Sequence, residues 1–199
     1  MSEPRPRRSP APEERQADAE RSRKLLLSAA LDVFSAKGLA GARVQEIADL
    51  AGVNKQLINY YFGGKDGLYR ELRRTWRDEK AAHADNDLGL ADQVAALLRY
   101  TLADPRQARL TVWSGLINCG PPEEFPADER FRLAERQETG ELAAGLDPEV
   151  LRFVLLAAAI LPVILPDIAR QVIGHDPADP EFETRYAAGI RAIIERLAP

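Results

Sequence analysis

Apolar positions recur along most of the chain at helical spacing. Leu26, Ala29, Ala30, Val33 and Phe34 fall three and four residues apart, one stripe of an amphipathic helix. Lys37 and Gly38 follow as a basic last turn and a stop. Val44, Ile47, Ala48 and Ala51 make a shorter stripe that ends at Gly52. Asn54 is a good N-cap for a third segment running to Tyr61, which Gly63 and Gly64 interrupt. A fourth helix starts near Lys65 and continues through Leu68, Leu72 and Trp76. The next stripe reads Leu90, Val94, Leu97, Leu98 and Thr101. Asp104-Pro105, Asp147-Pro148 and Asp179-Pro180 each set an N-capping Asp before a Pro at the first helical position, and an apolar stripe follows each pair. One more helix is expected over 127–142. No alternating stretch of useful length appears, so the pattern predicts an all-α protein of about nine helices.

The first residues fit this pattern poorly. Pro4, Pro6, Pro10 and Pro12 oppose a continuous helix, and Arg5, Arg7 and Arg8 repel one another. Residues 1–20 are therefore expected to be a disordered basic arm. Two uses stay open for it: a loose terminus, or an arm that enters a DNA minor groove. Residues 21–67 then form an N-terminal domain and residues 68–199 a helical second one.

Composition narrows the chemistry. The 199 residues are 45% hydrophobic and 29% charged, ordinary globular material. Cys119 is the single cysteine, and His83 and His175 are the two histidines. No disulfide, metal site or cofactor is expected from so few ligands. The uncharged run Phe153–Pro166 is 14 residues with two prolines, short of the roughly 20 a membrane span needs. The N-terminus lacks the apolar core of a secretory signal, so the expected location is the cytoplasm, away from membranes. The net charge of −4 hides an asymmetry. Residues 1–74 hold 14 of the 27 Lys and Arg and 10 of the 31 Asp and Glu. A basic first third joined to an acidic remainder suits a chain with one end on an anionic polymer.

The stretch Arg43–Leu68, RVQEIADLAGVNKQLINYYFGGKDGL, carries the function. Two short helices flank a turn at Gly52, with small Ala48 at the expected crossing and Val53 at the corner, the plan of a helix-turn-helix. At about 100° per residue, Leu57, Ile58 and Tyr61 of the second helix point inward, and Lys55, Gln56, Asn59 and Tyr60 point outward. Gln and Asn pair with adenine edges, Lys reaches guanine acceptors, and Tyr packs on a thymine methyl or reaches a phosphate.

Residues Arg23–Tyr69 resemble the DNA-binding domain of TetR-type (tetracycline-repressor-like) transcriptional regulators, through LLLSAALDVFSAKG, VQEIADLAGVNKQLINYYFGGKDGLY and the ending Phe62, Lys65, Asp66, Leu68. The resemblance implies an N-terminal helix-turn-helix domain of three helices ahead of a helical domain for ligand binding and dimerisation. It also implies a cytoplasmic repressor that answers to a ligand and binds a pseudo-palindromic operator in double-stranded DNA as a dimer. On matching positions it makes Asn54 the opener of the reading helix and Tyr61 and Lys65 phosphate contacts, with Arg43 at the start of the preceding helix. Gln56 and Asn59 depart from the residues frequent at their positions, so the operator sequence cannot be borrowed from relatives.

The last two helices have wide apolar faces, and the first of them reads FVLLAAAILPVIL. A homodimer through these two helices is one reading, and an ordinary buried central helix is the other. Trp76, Tyr100, Trp113 and Phe131 sit on different helices and could line an aromatic pocket for a small hydrophobic effector, with Asn118 as a polar edge. Packing in the core is the alternative for them. Catalysis finds no support. Gly63-Gly64-Lys65 lacks the upstream Gly and the Ser or Thr of a phosphate loop, and Cys119 has no evident His partner. A helical DNA binder without a ligand is the remaining rival class.

Overall fold

The computed structural model describes residues 12–82, 88–117 and 131–199. Among the described residues it contains ten helices and no strand. The chain divides into two compact units, Met1–Trp76 and Arg77–Pro199.

In the first unit, α1 (Pro12–Gly41) presents its apolar stripe to α2 (Val44–Ala51). Leu26, Ala29, Ala30, Val33 and Phe34 are all buried, as are Ile47, Ala48 and Ala51. The helix breaks at Gly38, whose φ of 68° and ψ of 172° are non-helical. After α2 come α3 (Gln56–Phe62) and α4 (Lys65–Ala82). Phe34 meets Tyr69 of α4 edge to face at 5.4 Å, and Leu68, Leu72 and Trp76 complete the core.

The expected disordered arm over residues 1–20 is corrected for its second half. Residues 1–11 lie outside the described residues, but Pro12 opens α1 and Ser22 Oγ already donates to the Asp18 carbonyl at 2.8 Å. A proline at the first helical position loses no hydrogen bond, because that N–H has no partner in any helix. Glu13 adds negative charge at the positive end of the helix dipole.

The second unit contains α5 (Leu90–Ala103), α6 (Arg106–Ile117), α7 (Leu133–Glu138), α8 (Pro148–Ile164), α9 (Pro166–Ile173) and α10 (Pro180–Glu195). Its core gathers Leu90 and Val94 of α5, Phe131, Leu133 of α7, Leu142, Leu155 of α8 and Ile194 of α10. Buried Arg136 fastens the surrounding loops, donating to the Phe131 carbonyl at 2.9 Å, the Leu88 carbonyl at 2.7 Å and the Glu141 carboxylate.

Three local expectations change here. The tenth helix arises because the apolar run after Asp147 is two helices, bent by 101° at Leu165-Pro166. Pro166 has no N–H to continue the ladder, and Leu165 takes φ −123° and ψ 60°. The helix expected over 127–142 shrinks to α7, which stops at Glu138 ahead of Gly140; 127–130 lie outside the described residues. Of the three Asp-Pro starts, Asp104 and Asp147 cap their helices by accepting from Arg106 N and from Glu149 N and Val150 N. Asp179 makes no side-chain cap, because its carboxylate accepts from Asp176 N instead.

Candidate nucleic-acid interface

The turn between α2 and α3 is set by backbone chemistry. Gly52 adopts φ 66° and ψ 30°, the left-handed region, which a residue with a Cβ enters only at a cost. Its N–H donates to the Asp49 carbonyl at 3.2 Å, and the Val53 N–H reaches the Ala48 carbonyl at 3.1 Å. These are the paired bonds of a Schellman cap, and they satisfy the last carbonyls of α2 while turning the chain sharply. Asn54 then caps the next helix: its Oδ1 accepts from Gln56 N at 2.9 Å and its carbonyl accepts from Leu57 N at 3.0 Å.

α3 is seven residues long, too short to hold its shape alone. Ile58, 0% exposed, anchors it from beneath, with Leu57 and Tyr61 half-buried on the same side. Lys55, Gln56, Asn59 and Tyr60 all face solvent. The Tyr60 ring is 80% exposed and touches Tyr61 edge to face at 5.0 Å, which in turn meets Phe62 at 6.2 Å. Arg43, exposed just ahead of α2, places another cation in the same helix-turn-helix.

Lys65 is placed otherwise than expected. Its Nζ donates to the Leu39 carbonyl at 2.8 Å and the Ala42 carbonyl at 3.1 Å, inside the domain. The expectation that its ammonium faces a DNA phosphate is corrected to that extent: two of its three donors tie the start of α4 to the α1–α2 connection. Those carbonyls follow the Gly38 break and lack helical partners, so a cation is the natural donor.

Two residues that sequence reasoning did not single out complete the support. Gly67 lies where a Cβ would come within 1.6 Å of the Phe62 carbonyl oxygen, so only a residue without a side chain lets α4 abut the end of α3. A glycine inside a helical pattern was the available signal for such a close approach. Arg23 of α1 lies over the Phe62 ring at 5.5 Å and donates to Glu71 of α4, a link that no spacing along the chain announces. Arg74 and then Arg23 hold the Glu71 carboxyl at about 2, well below its ordinary value of 4.5 and against the raising effect of partial burial.

The expected effector pocket fares differently. Phe131 is a core side chain, packed with Leu90, Val94, Leu142 and Leu155. Trp76 is buried in the first unit, whereas Tyr100 and Trp113 are half-buried in the second. Asn118 lies outside the described residues. A cleft of about 470 Å3 opens elsewhere in the second unit, lined by Arg132, Leu133, Asp147, Glu149 and Arg152 among others, and Trp76, Tyr100, Trp113 and Phe131 are not among the described residues that line it.

A short helix with hydrogen-bonding side chains outward, seated on an apolar base and braced from two sides, defines a helix-turn-helix DNA-binding protein. Residues 26–72 match the family described as "Bacterial regulatory proteins, tetR family". Over 189 residues the chain is 28% identical to the HTH-type transcriptional repressor SCO4008 of Streptomyces coelicolor, covering 91% of this chain and 95% of that protein. It is 29% identical over 195 residues to the HTH-type transcriptional regulator RutR of Escherichia coli, covering 89% and 91%. Among solved structures, the transcriptional regulator SCO4942 of Streptomyces coelicolor superposes with a TM-score of 0.71 at 25% identity, covering 86% of this chain and 97% of that one. Residues 26–72 are a tetR-family DNA-binding domain, and the chain, similar along most of its length to TetR-type regulators, is a DNA-binding transcriptional regulator and not an enzyme. Members of that family bind DNA, generally as dimers and with small-molecule effectors.

Proposed function

We propose that the protein represses transcription by binding a pseudo-palindromic operator as a homodimer and releases it when a small hydrophobic effector binds. The observation that carries this is the face of α3, where Lys55, Gln56, Asn59 and Tyr60 are solvent-exposed above fully buried Ile58. Gln56 and Asn59 read base edges, Tyr60 and Lys55 supply an apolar contact and a charge, and Arg43 and Tyr61 touch phosphates. Asn54 fixes where α3 begins. Lys65 acts through position, by holding α4 to the α1–α2 connection.

One reading helix covers too little of a groove for specific binding, so two related by a dyad are needed, about 34–36 Å apart for half-sites one turn apart. Dimerisation is assigned to the apolar helices near the C-terminus, α8 and α10. α8 is not buried all round: Leu155, Ala159 and Val163 face inward, while Val150, Phe153, Val154 and Leu161 are exposed. An apolar stripe of that kind on a regulator needs a cover. The effector reading rests on half-buried Tyr100 and Trp113 and on Gln107 of α6, whose buried Oε1 meets no donor among the described residues. An orphan buried acceptor costs about 1–3 kcal/mol and marks a place where a ligand donor would bind. Such a protein works where its DNA is, in the cytoplasm.

Selection of binding sites from random duplex DNA tests this reading. The expected result is one dyad-symmetric sequence bound with a steep dependence on salt. An asymmetric single site, or binding without sequence preference, overturns it.

A further inference from the structure

Arg23 of α1 and Arg74 of α4 share one carboxylate, that of Glu71. Arg74 donates to it twice, from Nε at 3.1 Å and from Nη2 at 2.8 Å. Arg23 donates from its own Nη2 to the Oε1 that Arg74 Nη2 also uses. The Arg23 guanidinium lies at the end of α3, 5.5 Å from the centre of the Phe62 ring, and the neighbouring ring is that of Tyr61. The surroundings are cationic. Within one turn of either end of this link lie Arg21 and Lys24 on α1 and Arg70 and Arg73 on α4, against Glu20 as the one other carboxylate. Arg21, Lys24 and Arg70 are exposed. An acid set among cations at the edge of a DNA-binding surface weakens the hold on every duplex, so its presence calls for a reason.

The geometry supplies one. A carboxylate and a DNA phosphate both accept from a guanidinium through paired anionic oxygens, so one can take the place of the other. The Phe62 ring fixes where Arg23 sits, yet the Arg23 side chain stays 41% exposed, and a guanidinium carries five donors. We propose that Arg23 is a contact to the DNA backbone, held by Glu71 in the free protein and passed to a phosphate in the complex. Glu71 is not orphaned by the exchange. Arg74 still donates to both of its oxygens. The Arg74 hydrogen bond is also the first cause of the Glu71 carboxyl lying at about 2, so the group stays ionised after Arg23 leaves. The carboxylate therefore competes with every duplex alike and reads no base. A uniform loss of this kind shortens the stay on random DNA, while the base contacts of α3 still hold the operator. The inference rests on α3 facing DNA, and it adds a residue from outside the helix-turn-helix.

The test is Glu71→Gln in the full-length chain, with affinity for a selected operator and for a random duplex read by fluorescence anisotropy. Both are expected to tighten at least about threefold, with their ratio unchanged, while denaturant melts show the protomer less stable. A link that only braced α1 against α4 would lower stability and binding together, so weaker or unchanged binding overturns the exchange. Removing any acid near DNA raises affinity through charge alone, and Arg23→Ala separates that effect. On the Arg23→Ala background the gain from Glu71→Gln should fall to less than half its size, and a gain that persists in full overturns the proposal. Arg23→Ala alone should weaken all duplexes and lower the salt slope by about one for each bound protomer, with Arg23→Lys restoring the slope. An unchanged slope overturns the contact. Should Arg23→Ala fail to fold, the wild type decides by NMR: on adding duplex the guanidinium signal of Arg23 shifts and that of Arg74 stays, and a stationary Arg23 signal overturns the exchange. A wild type that binds no duplex removes the DNA-facing reading of α3 itself, a different failure.

Discussion

Two helices of this protein, α3 and α8, each expose a face that their own chain leaves uncovered, and they do so with opposite chemistry. On α3 the open face is amide, ammonium and phenol above a single buried isoleucine. On α8 it is valine, phenylalanine and leucine above a buried row of Leu155, Ala159 and Val163. A polar face is at ease in water and signals a partner only by the kind of hydrogen bonds it offers. An apolar face is not, and its partner must bring apolar area. In the function proposed above, the first would read base edges, where direction matters, and the second would meet a copy of itself, where area does.

The supports differ as well. α3 is set from outside, by Asn54, Lys65, Arg23 and the missing side chain of Gly67. The largest effect is therefore expected from Gly67→Ala, which drives a methyl into the Phe62 carbonyl. It should lower stability by about 3 kcal/mol and abolish operator binding, measured by denaturant melts and fluorescence anisotropy. Wild-type behaviour would break the claim that α3 depends on this junction. Next is Phe153→Asp on α8, which leaves the inward row untouched. Dimer affinity should fall by about 2 kcal/mol or more in sedimentation, with the protomer still folded and operator binding weakened because only paired reading helices bind tightly.

Asn59→Ala sharpens the polar side of the comparison. Discrimination at one base pair of each half-site should drop by about 1–3 kcal/mol, with little change at the others, read by competition among single-substituted operators. Equal loss on every sequence would remove Asn59 from the reading set. Lys65→Ala should cost about 1 kcal/mol of stability from two lost bonds to carbonyls and weaken all operators alike, since it positions α4 and reads no base. The smallest effect concerns Glu71. With its carboxyl held at about 2 in the folded chain against an ordinary 4.5, the Arg23 and Arg74 links contribute fully above about pH 4.5. That contribution fades as pH falls toward 2, because the unfolded chain takes up the proton first. Glu71→Gln should flatten this part of the stability profile and leave the region above pH 5 with the same slope.

Period and punctuation carried much of this protein in the sequence alone. The helical stripes, the Gly52 turn, the Asn54 cap and the outward set on α3 are local features, because a 3.6-residue repeat and a capping side chain act within a few positions. Proline was harder to read. The same residue that argued against order before residue 20 opens α1 at Pro12, and Pro166 ends one helix and starts another. Whether a proline breaks or begins a helix depends on whether the N–H it lacks would have found a partner. Only tertiary structure decided the rest. Lys65 turns inward because unpaired carbonyls lie 23 and 26 residues away along the chain, Arg23 finds Glu71 across 48, and Phe131 sits in a core that no nearby residue defines. Contacts between residues so far apart along the chain leave no period in it, and folding alone brings their atoms within bonding distance.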